Sequence, residues 1–178
     1  MTFPELETDR LRLRMFRDSD TDVYAKWAAD PEIMRYLGKG ETQTRAEAWR
    51  SMATGIGHWH LRGCGLWAVD EKATGELIGR VGCWNPEGWP SLEVGWTIGR
   101  EYWGRGFATE AAIAARDWAF EELNLEFLIS IIRSGNDRSV KVAERIGESW
   151  QYTLEVLGQE CQIYSIERDH WESIRNAT

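Results

Sequence analysis

The stretch "EYWGRGFATEA", residues 101–111, places two glycines around Arg105 and then becomes alanine-rich and helical. It follows "SLEVGWTIG", residues 91–99, in which apolar and polar residues alternate as in a half-buried strand. A strand, a glycine turn and a helix start bring together unpaired N–H groups and a partial positive charge, which favour an anion. We therefore expect backbone amides from Gly104 to Thr109 to hold a pyrophosphate, although a glycine turn without a ligand fits this stretch equally well.

Two familiar phosphate loops do not explain the stretch. "GREYWGRG", residues 99–106, has the glycine spacing of a P-loop but carries Arg105 in place of lysine and Gly106 in place of the metal-binding hydroxyl. "GRGFAT", residues 104–109, ends in Thr109, where a dinucleotide fingerprint requires glycine. The glycines thus indicate an anion site without naming the molecule.

Length and composition exclude several classes of function. A chain of 178 residues with 43% hydrophobic residues predicts a single domain over residues 1–178. The net charge of −8 argues against nucleic acid as a partner and makes a cationic acceptor easier to accommodate. No window approaches the roughly 18 apolar residues of a membrane span. We therefore expect no membrane partner. Three cysteines without C-x-x-C spacing, Cys64, Cys83 and Cys161, predict a cytoplasmic protein that has neither a disulfide frame nor a metal site.

The remaining patterns predict a mixed α/β (α+β) domain with the order β α α β β β α β α β β. Residues 10–16 alternate as a strand, and residues 19–30 and 44–61 have helical spacing. The other expected elements are a hairpin over 66–84, the central strand, a helix to about Leu123, a strand over 127–132, a helix over 137–146 and two strands within 149–169. Small residues at helical spacing predict that the helix after the glycines lies close to the sheet: Ala108, Ala112, Ala115 and Ala119.

Four segments together resemble the GNAT N-acetyltransferases, in the branch typified by the ribosomal-protein N-terminal acetyltransferases. They are "LETDRLRLRMFRDSD" with "DPEIMRYLG", "LEVGWTIGREYWGRGFATEA", "IIRSGNDRSVKVAERIG" and "YSIERDHW", the last resembling the family's closing strand. The resemblance implies a GNAT fold: a twisted, mixed and mostly antiparallel sheet of about six or seven strands, splayed at its centre, with about four helices. It also implies direct transfer of an acetyl group from acetyl-CoA to a primary amine, on a protein N-terminus or a small molecule, by a monomer or homodimer.

The same resemblance assigns the cofactor residues. Pantetheine would insert between strands 91–98 and 127–132, and the backbone of Trp96, Thr97 and Ile98 would pair with it. Asn136 and Ser139 would contact the cofactor from one helix turn, although both residue types also cap helices. The family loop begins with glutamine or arginine, and Trp103 stands there instead. The residues that would hold the pyrophosphate are Arg105, Gly106, Ala108 and Thr109, and Gly104 would permit the turn.

Catalysis requires a neutral acceptor amine. Glu93 is the candidate base because it stands on the polar side of the central strand, and the alternative is a solvent-facing charge. Many family members carry a tyrosine where this chain has Ala143, so Ser139 becomes the expected proton donor to the leaving thiolate.

The loop "WNPEGWP", residues 84–90, lies where an acceptor would approach. Trp84, Glu87 and Trp89 are therefore candidate substrate residues, and the alternative for the tryptophans is to seal the end of the sheet. His58 and His60 point apart on a helix without a third ligand, so we expect no metal there. The competing function is a catalytically silent acyl-CoA-binding module.

Overall fold

Eight strands and six α-helices make up residues 3–177, the part of the chain that the computed structural model describes. The strands are β1 (Leu6–Glu7), β2 (Leu11–Arg14), β3 (Leu66–Glu71), β4 (Leu77–Trp84), β5 (Glu93–Ile98), β6 (Phe127–Arg133), β7 (Ser149–Val156) and β8 (Gln159–Glu167). The helices are α1 (Thr21–Ala28), α2 (Pro31–Met34), α3 (Arg45–Arg62), α4 (Phe107–Glu122), α5 (Asp137–Arg145) and α6 (Arg168–Asn176). Across residues 3–177, no helix combines the length and apolar character that crossing a bilayer requires.

All eight strands join one sheet in the order β1-β2-β3-β4-β5-β6-β8-β7. Every neighbouring pair is antiparallel except β5 and β6, which run parallel. Among the described residues these two strands pair at one position, Glu93 opposite Ile129, and then diverge. The predicted mixed, mostly antiparallel sheet with a splayed centre is therefore confirmed.

The sheet has a hydrophobic core on each face, as the alternation within β3 shows. Trp67 and Val69 belong to the core that includes α4, whereas Leu66 and Ala68 belong to the cluster formed with α1 and α2. Successive side chains of a strand point to opposite faces, so both faces of the sheet centre are covered by helices.

Helix α4 lies close against β4 and β5 because its inner face is lined by small side chains. Four alanines of this helix are fully buried: Ala111, Ala112, Ala115 and Ala119. The sulfur of Cys83 on β4 lies 4.0 Å from the Ala115 carbonyl oxygen, which shows how near the helix backbone comes. Three of the four predicted alanines are in this buried set, and Ala108 is partly buried at the helix start. The alanine pattern thus predicted the packing correctly.

Three elements differ from the sequence prediction. Strand β1 was not predicted, because its two residues are too few to show a period. The short helix α2 was not predicted: Pro31, which follows the predicted helix over 19–30, occupies its first turn, and Asp30 caps it by accepting from the Glu32 N–H at 2.9 Å. The closing segment "YSIERDHW" is a strand only to Glu167 and continues directly as helix α6, so its assignment as a strand throughout was wrong.

Candidate active site

The glycine turn presents a row of free backbone donors at the start of α4. Gly104 and Gly106 have φ values of +77° and +80°, in the left-handed region that favours glycine. Within residues 3–177, the N–H groups of Gly106, Phe107, Ala108 and Thr109 have no protein acceptor. These four donors at the positive end of a 16-residue helix are suited to an anion.

The Arg105 side chain is held away from these donors. Its guanidinium donates to Glu71 Oε1 at 2.6 Å and lies 4.6 Å from the centre of the Phe107 ring. The Arg105 carbonyl oxygen accepts from Arg10 Nη1 at 2.9 Å. In this arrangement the group that Arg105 can offer an anion is its backbone N–H, and its side chain lies on the outside of the turn.

Trp103 fastens the turn to the end of the central strand. Its indole Nε1 donates to the Ile98 carbonyl oxygen at 2.8 Å, and the guanidinium of Arg138 lies 4.4 Å from the centre of the Trp103 rings. The family pattern marked Trp103 only as a departure. The structure gives it a specific contact that a glutamine or arginine would make differently.

Two hollows meet between β5 and α5. The first, which we call the outer cleft, has a volume of about 1110 Å³ and is bounded by residues 104–109, the end of β5 and the start of α5. The second, the inner cavity, has a volume of about 430 Å³ and is lined by β4, β5 and β6 beneath α1 and α2. Residues that line both hollows include Trp96, Thr97, Asn136 and Ser139. A molecule in the outer cleft can therefore reach one in the inner cavity at this junction.

The divergence of β5 and β6 opens beside this junction. Ser130 on β6 spans the gap, with its Oγ 2.9 Å from the Val94 carbonyl oxygen and 3.0 Å from Glu148 Oε1. Glu148 is buried, and burial raises the pKa of its carboxyl to about 8, with the nearby charge of Glu93 acting in the same direction. A protonated carboxyl at this position avoids a buried charge and holds the opening in place through Ser130.

Glu93 lies inside the inner cavity. It is half-buried and points to the same side of β5 as Gly95 and Thr97, which also line the cavity. Burial raises the pKa of Glu93 to about 7, and the Ile131 backbone N–H, the Trp89 indole and Arg80 oppose part of that rise. A carboxyl with this pKa can accept a proton at neutral pH. Because Glu93 lines the cavity, it is not the solvent-facing charge of the alternative interpretation.

Asn136 and Ser139 lie at the first turn of α5 and contact each other. Asn136 caps the helix, since its Oδ1 accepts from the Ser139 N–H at 3.3 Å, and its Nδ2 donates to Ser139 Oγ at 3.0 Å. Because Oγ accepts that bond, the Ser139 hydroxyl proton stays free for another acceptor. Ala143, at the position where many relatives carry tyrosine, is fully buried behind them.

The segment from the end of β4 to Pro90 contributes two of its three candidate residues to the inner cavity. Trp84 and Trp89 line the cavity, and Trp84 stacks on His58 with ring centres 4.4 Å apart. The Trp89 Nε1 atom is buried without a hydrogen bond of normal geometry. Glu87 instead points outward as an exposed carboxylate that accepts from Arg62 Nη2 at 2.8 Å. The structure therefore brings the tryptophans together with Glu93 and leaves Glu87 outside both hollows.

His58 is committed to holding this loop. Its Nδ1 lies 2.7 Å from the Cys64 carbonyl oxygen, and its Nε2 accepts from the Asn85 N–H at 3.1 Å. Both ring nitrogens are thus used by the protein.

Arg80 is a cavity residue that the sequence analysis did not select. It lines the inner cavity from β4, directly opposite Thr97 on β5. A single arginine within the otherwise apolar "LIGRVGCW", residues 77–84, was the available signal.

Comparison with known proteins identifies this arrangement. Residues 10–148 match the family model described as an acetyltransferase (GNAT) domain. The chain is 30% identical over 168 residues to the protein YkkB of Bacillus subtilis, covering 90% of this chain and 94% of YkkB. It is 32% identical over 140 residues to the N-acetyltransferase p20 of Bacillus licheniformis, covering 77% and 78% of the two chains.

A solved structure agrees with these relatives. The acetyltransferase from Agrobacterium tumefaciens superposes with a TM-score of 0.84 at 34% sequence identity, covering 94% of this chain and 96% of that one. The expected GNAT fold and acetyltransferase activity are thus supported by family, relatives and architecture together. The chain belongs to the GNAT family of acetyltransferases.

Proposed function

We propose that this acetyltransferase uses acetyl-CoA and transfers the acetyl group directly to a primary amine, on a protein N-terminus or a small molecule. The observation that carries the proposal is the meeting of the two hollows at Trp96, Thr97, Asn136 and Ser139. Free amides at the start of α4 lie on one side of that junction and Glu93 on the other. The reactants would therefore meet end to end.

The described residues fit coenzyme A. The four free N–H groups at Gly106–Thr109 suit its diphosphate, and Arg105 would contribute main chain rather than its guanidinium. Beyond Glu93 the β6-facing edge of β5 lacks strand pairing within residues 3–177, which leaves backbone groups for the pantetheine amides. The backbone of Thr97 faces β4, where it pairs with Arg80, and the Ile98 carbonyl oxygen is engaged by Trp103. The backbone groups of Trp96 and the Ile98 N–H are therefore the expected partners of pantetheine.

When bound, acetyl-CoA supplies an acetyl group held as a thioester, whose sulfur departs as a thiol. Glu93 accepts the proton that the acceptor nitrogen must lose, directly or through water. The free backbone N–H groups of β5 beyond Glu93 stabilise the negative charge on the acyl oxygen. The Ser139 hydroxyl, whose proton is not used by Asn136, donates to the departing sulfur.

An α-amine needs little help from Glu93. Its pKa of about 7.7–8.0, against about 10.4 for lysine, makes it neutral a few hundredfold more often at the same pH. The resemblance to the ribosomal-protein N-terminal branch supports an α-amine as acceptor, and a small-molecule amine is the other acceptor class of the proposal. We further propose that the protein is cytoplasmic, consists of a single domain, is a monomer or homodimer, and has no nucleic-acid or membrane partner.

The test combines turnover with cofactor binding. Thiol release from acetyl-CoA is measured over a panel of primary amines, and coenzyme A affinity is measured by calorimetry. Coenzyme A binding without thiol release for any amine would favour a silent acyl-CoA-binding module, which the N-acetyltransferase names of the relatives do not favour.

Gly106→Val tests the anion site itself, with Gly75→Val as its matched control. Gly75 has a φ of +72° in the β3–β4 turn and, like Gly106, is left-handed, so both variants carry a similar strain of about 1–2 kcal/mol. Only Gly106→Val alters the cradle, so we expect coenzyme A affinity to fall more than tenfold in that variant alone. Equal affinities in the two variants would refute the placement of the diphosphate.

A further inference from the structure

We propose that the acceptor is a small primary amine carrying a carboxylate or phosphate, whose anionic group binds Arg80 while its amine lies at Glu93. The inference rests on the proposed function and chooses between its two acceptor classes. It follows from the position of Arg80, from the charge of the inner cavity, and from the open space between Arg80 and Glu93.

Arg80 is a half-buried cation that no carboxylate of the described chain contacts directly. Among residues 3–177 its guanidinium has no ion pair and no hydrogen bond, and it lies 6.0 Å from the centre of the Tyr24 ring. Arg133, the other arginine of the cavity, donates to the carbonyl oxygens of Arg35 and Gly38, each at 2.7 Å. A partly buried guanidinium with five free donors is stabilised by an anion that supplies matching oxygens.

The inner cavity is positive although the whole chain is negative. In the described chain its charged lining residues are Arg80, Arg133 and Glu93. Because the pKa of Glu93 is about 7, the two guanidinium groups outweigh the partly ionised carboxyl at neutral pH. The net charge of −8 made a cationic acceptor easier to accommodate, but the local charge favours an acceptor that brings an anion with its amine.

The space between the two groups suits a small molecule. Arg80 lies opposite Thr97 and Glu93 lies opposite Trp84, so the two residues are offset by four positions, or about 13 Å, along the strand direction. Gly95 lies between them on β5, and a Cβ built there would contact only Glu93 Oε1, at 3.9 Å. The bare strand leaves room for a short carbon chain, and about 430 Å³ is within the usual range for small-ligand cavities.

Arg80 also acts on Glu93, and the test must separate that effect from binding. Its positive charge lowers the pKa of Glu93, so removing it raises that pKa and displaces the pH profile for every acceptor alike. Recognition of an anion instead changes the ratio of rates between an anionic amine and an uncharged-tail amine. The ratio, measured for all acceptors at the same pH, cancels the titration of Glu93 within each variant and is therefore the diagnostic quantity.

The experiment compares kcat/KM, expressed for the neutral form of each amine, for four acceptors: 4-aminobutyrate, 2-aminoethyl phosphate, n-butylamine, and a trialanine amide with a free N-terminus. We expect at least a tenfold preference for one of the two anionic amines over n-butylamine, and the two arms identify carboxylate or phosphate. Arg80→Met should abolish the preference, Arg80→Lys should retain part of it, and Arg50→Met, at an exposed position on α3, should leave it unchanged. A preference for n-butylamine or for the peptide, or a ratio that survives in Arg80→Met, would overturn the inference.

Failure of the proposed function would look different. If no acceptor releases thiol, the proposed transfer is refuted, and the Arg80 site is tested by binding alone. The protein saturated with coenzyme A is then titrated with 4-aminobutyrate and with 2-aminoethyl phosphate in a calorimeter. Binding of either that is lost in Arg80→Met supports the site, and absence of binding of both to the unaltered protein overturns it.

Discussion

Replacing Glu93 by glutamine removes a titrating group from the inner cavity while keeping its shape and one acceptor oxygen. With a pKa of about 7, the carboxylate form is populated to about 10% at pH 6 and about 90% at pH 8. If Glu93 is the base, it contributes about a tenfold rise in kcat/KM between these pH values. A positioned base commonly contributes at least 100-fold, so we expect Glu93→Gln to lower kcat/KM about 100-fold at pH 8 and about tenfold at pH 6.

The assay is thiol release from saturating acetyl-CoA between pH 6 and pH 9 at fixed ionic strength. Dividing the wild-type profile by the Glu93→Gln profile cancels the titration of the acceptor amine, which both proteins share, and leaves the titration of Glu93. Glu122→Gln, at an exposed position near the end of α4, makes the same chemical change away from both hollows and should reproduce the wild-type curve. A ratio that does not change with pH would show that Glu93 is not the base.

Two further predictions concern the groups around the junction. Ser139→Ala should lower kcat about 100-fold with unchanged coenzyme A affinity, because the Asn136 Oδ1 cap uses the backbone N–H of residue 139 and survives the change; a loss of thermal stability with unaltered kcat would contradict the assignment. Folded Glu148 keeps its proton up to about pH 8, whereas the unfolded chain releases it near pH 4.5, so the free energy of unfolding should fall by about 1.4 kcal/mol per pH unit between these values. Glu148→Gln should lack that component in urea unfolding at pH 5, 6.5 and 8, and parallel pH dependences in the two proteins would refute it.

Elements with a long, regular pattern were predictable from sequence. The alternation in β5 correctly placed Val94 and Ile98 in the core and Glu93 on the opposite side, and the alanine spacing oriented α4. The two-residue β1 has no period to detect. The segment "YSIERDHW", residues 164–171, contains no glycine or proline, so nothing in the local sequence marked the change from β8 to α6.

The candidate site was predictable where its residues are neighbours in sequence. The glycine turn and the Asn136–Ser139 turn each lie within a few residues, and local chemistry was enough to select them. Arg80 and Glu93 share a cavity only because of the register between β4 and β5, which a single sequence does not specify. Glu87 lies between two cavity tryptophans in sequence, but the loop turns its carboxylate toward Arg62.

The gap between β5 and β6 has a consequence for how the protein resists unfolding. The two halves of the sheet, β1 to β5 and β6 to β8, are joined by one strand pairing and by the hydrogen bond from Ser130 to the Val94 carbonyl oxygen. A reactant whose amides bond to the free edges of β5 and β6 links the two halves and binds only the folded chain. At a concentration 100 times its dissociation constant, such a reactant adds about 2.7 kcal/mol to the free energy of unfolding. The free energy of unfolding of the enzyme would then depend on the concentration of the thioester that it consumes.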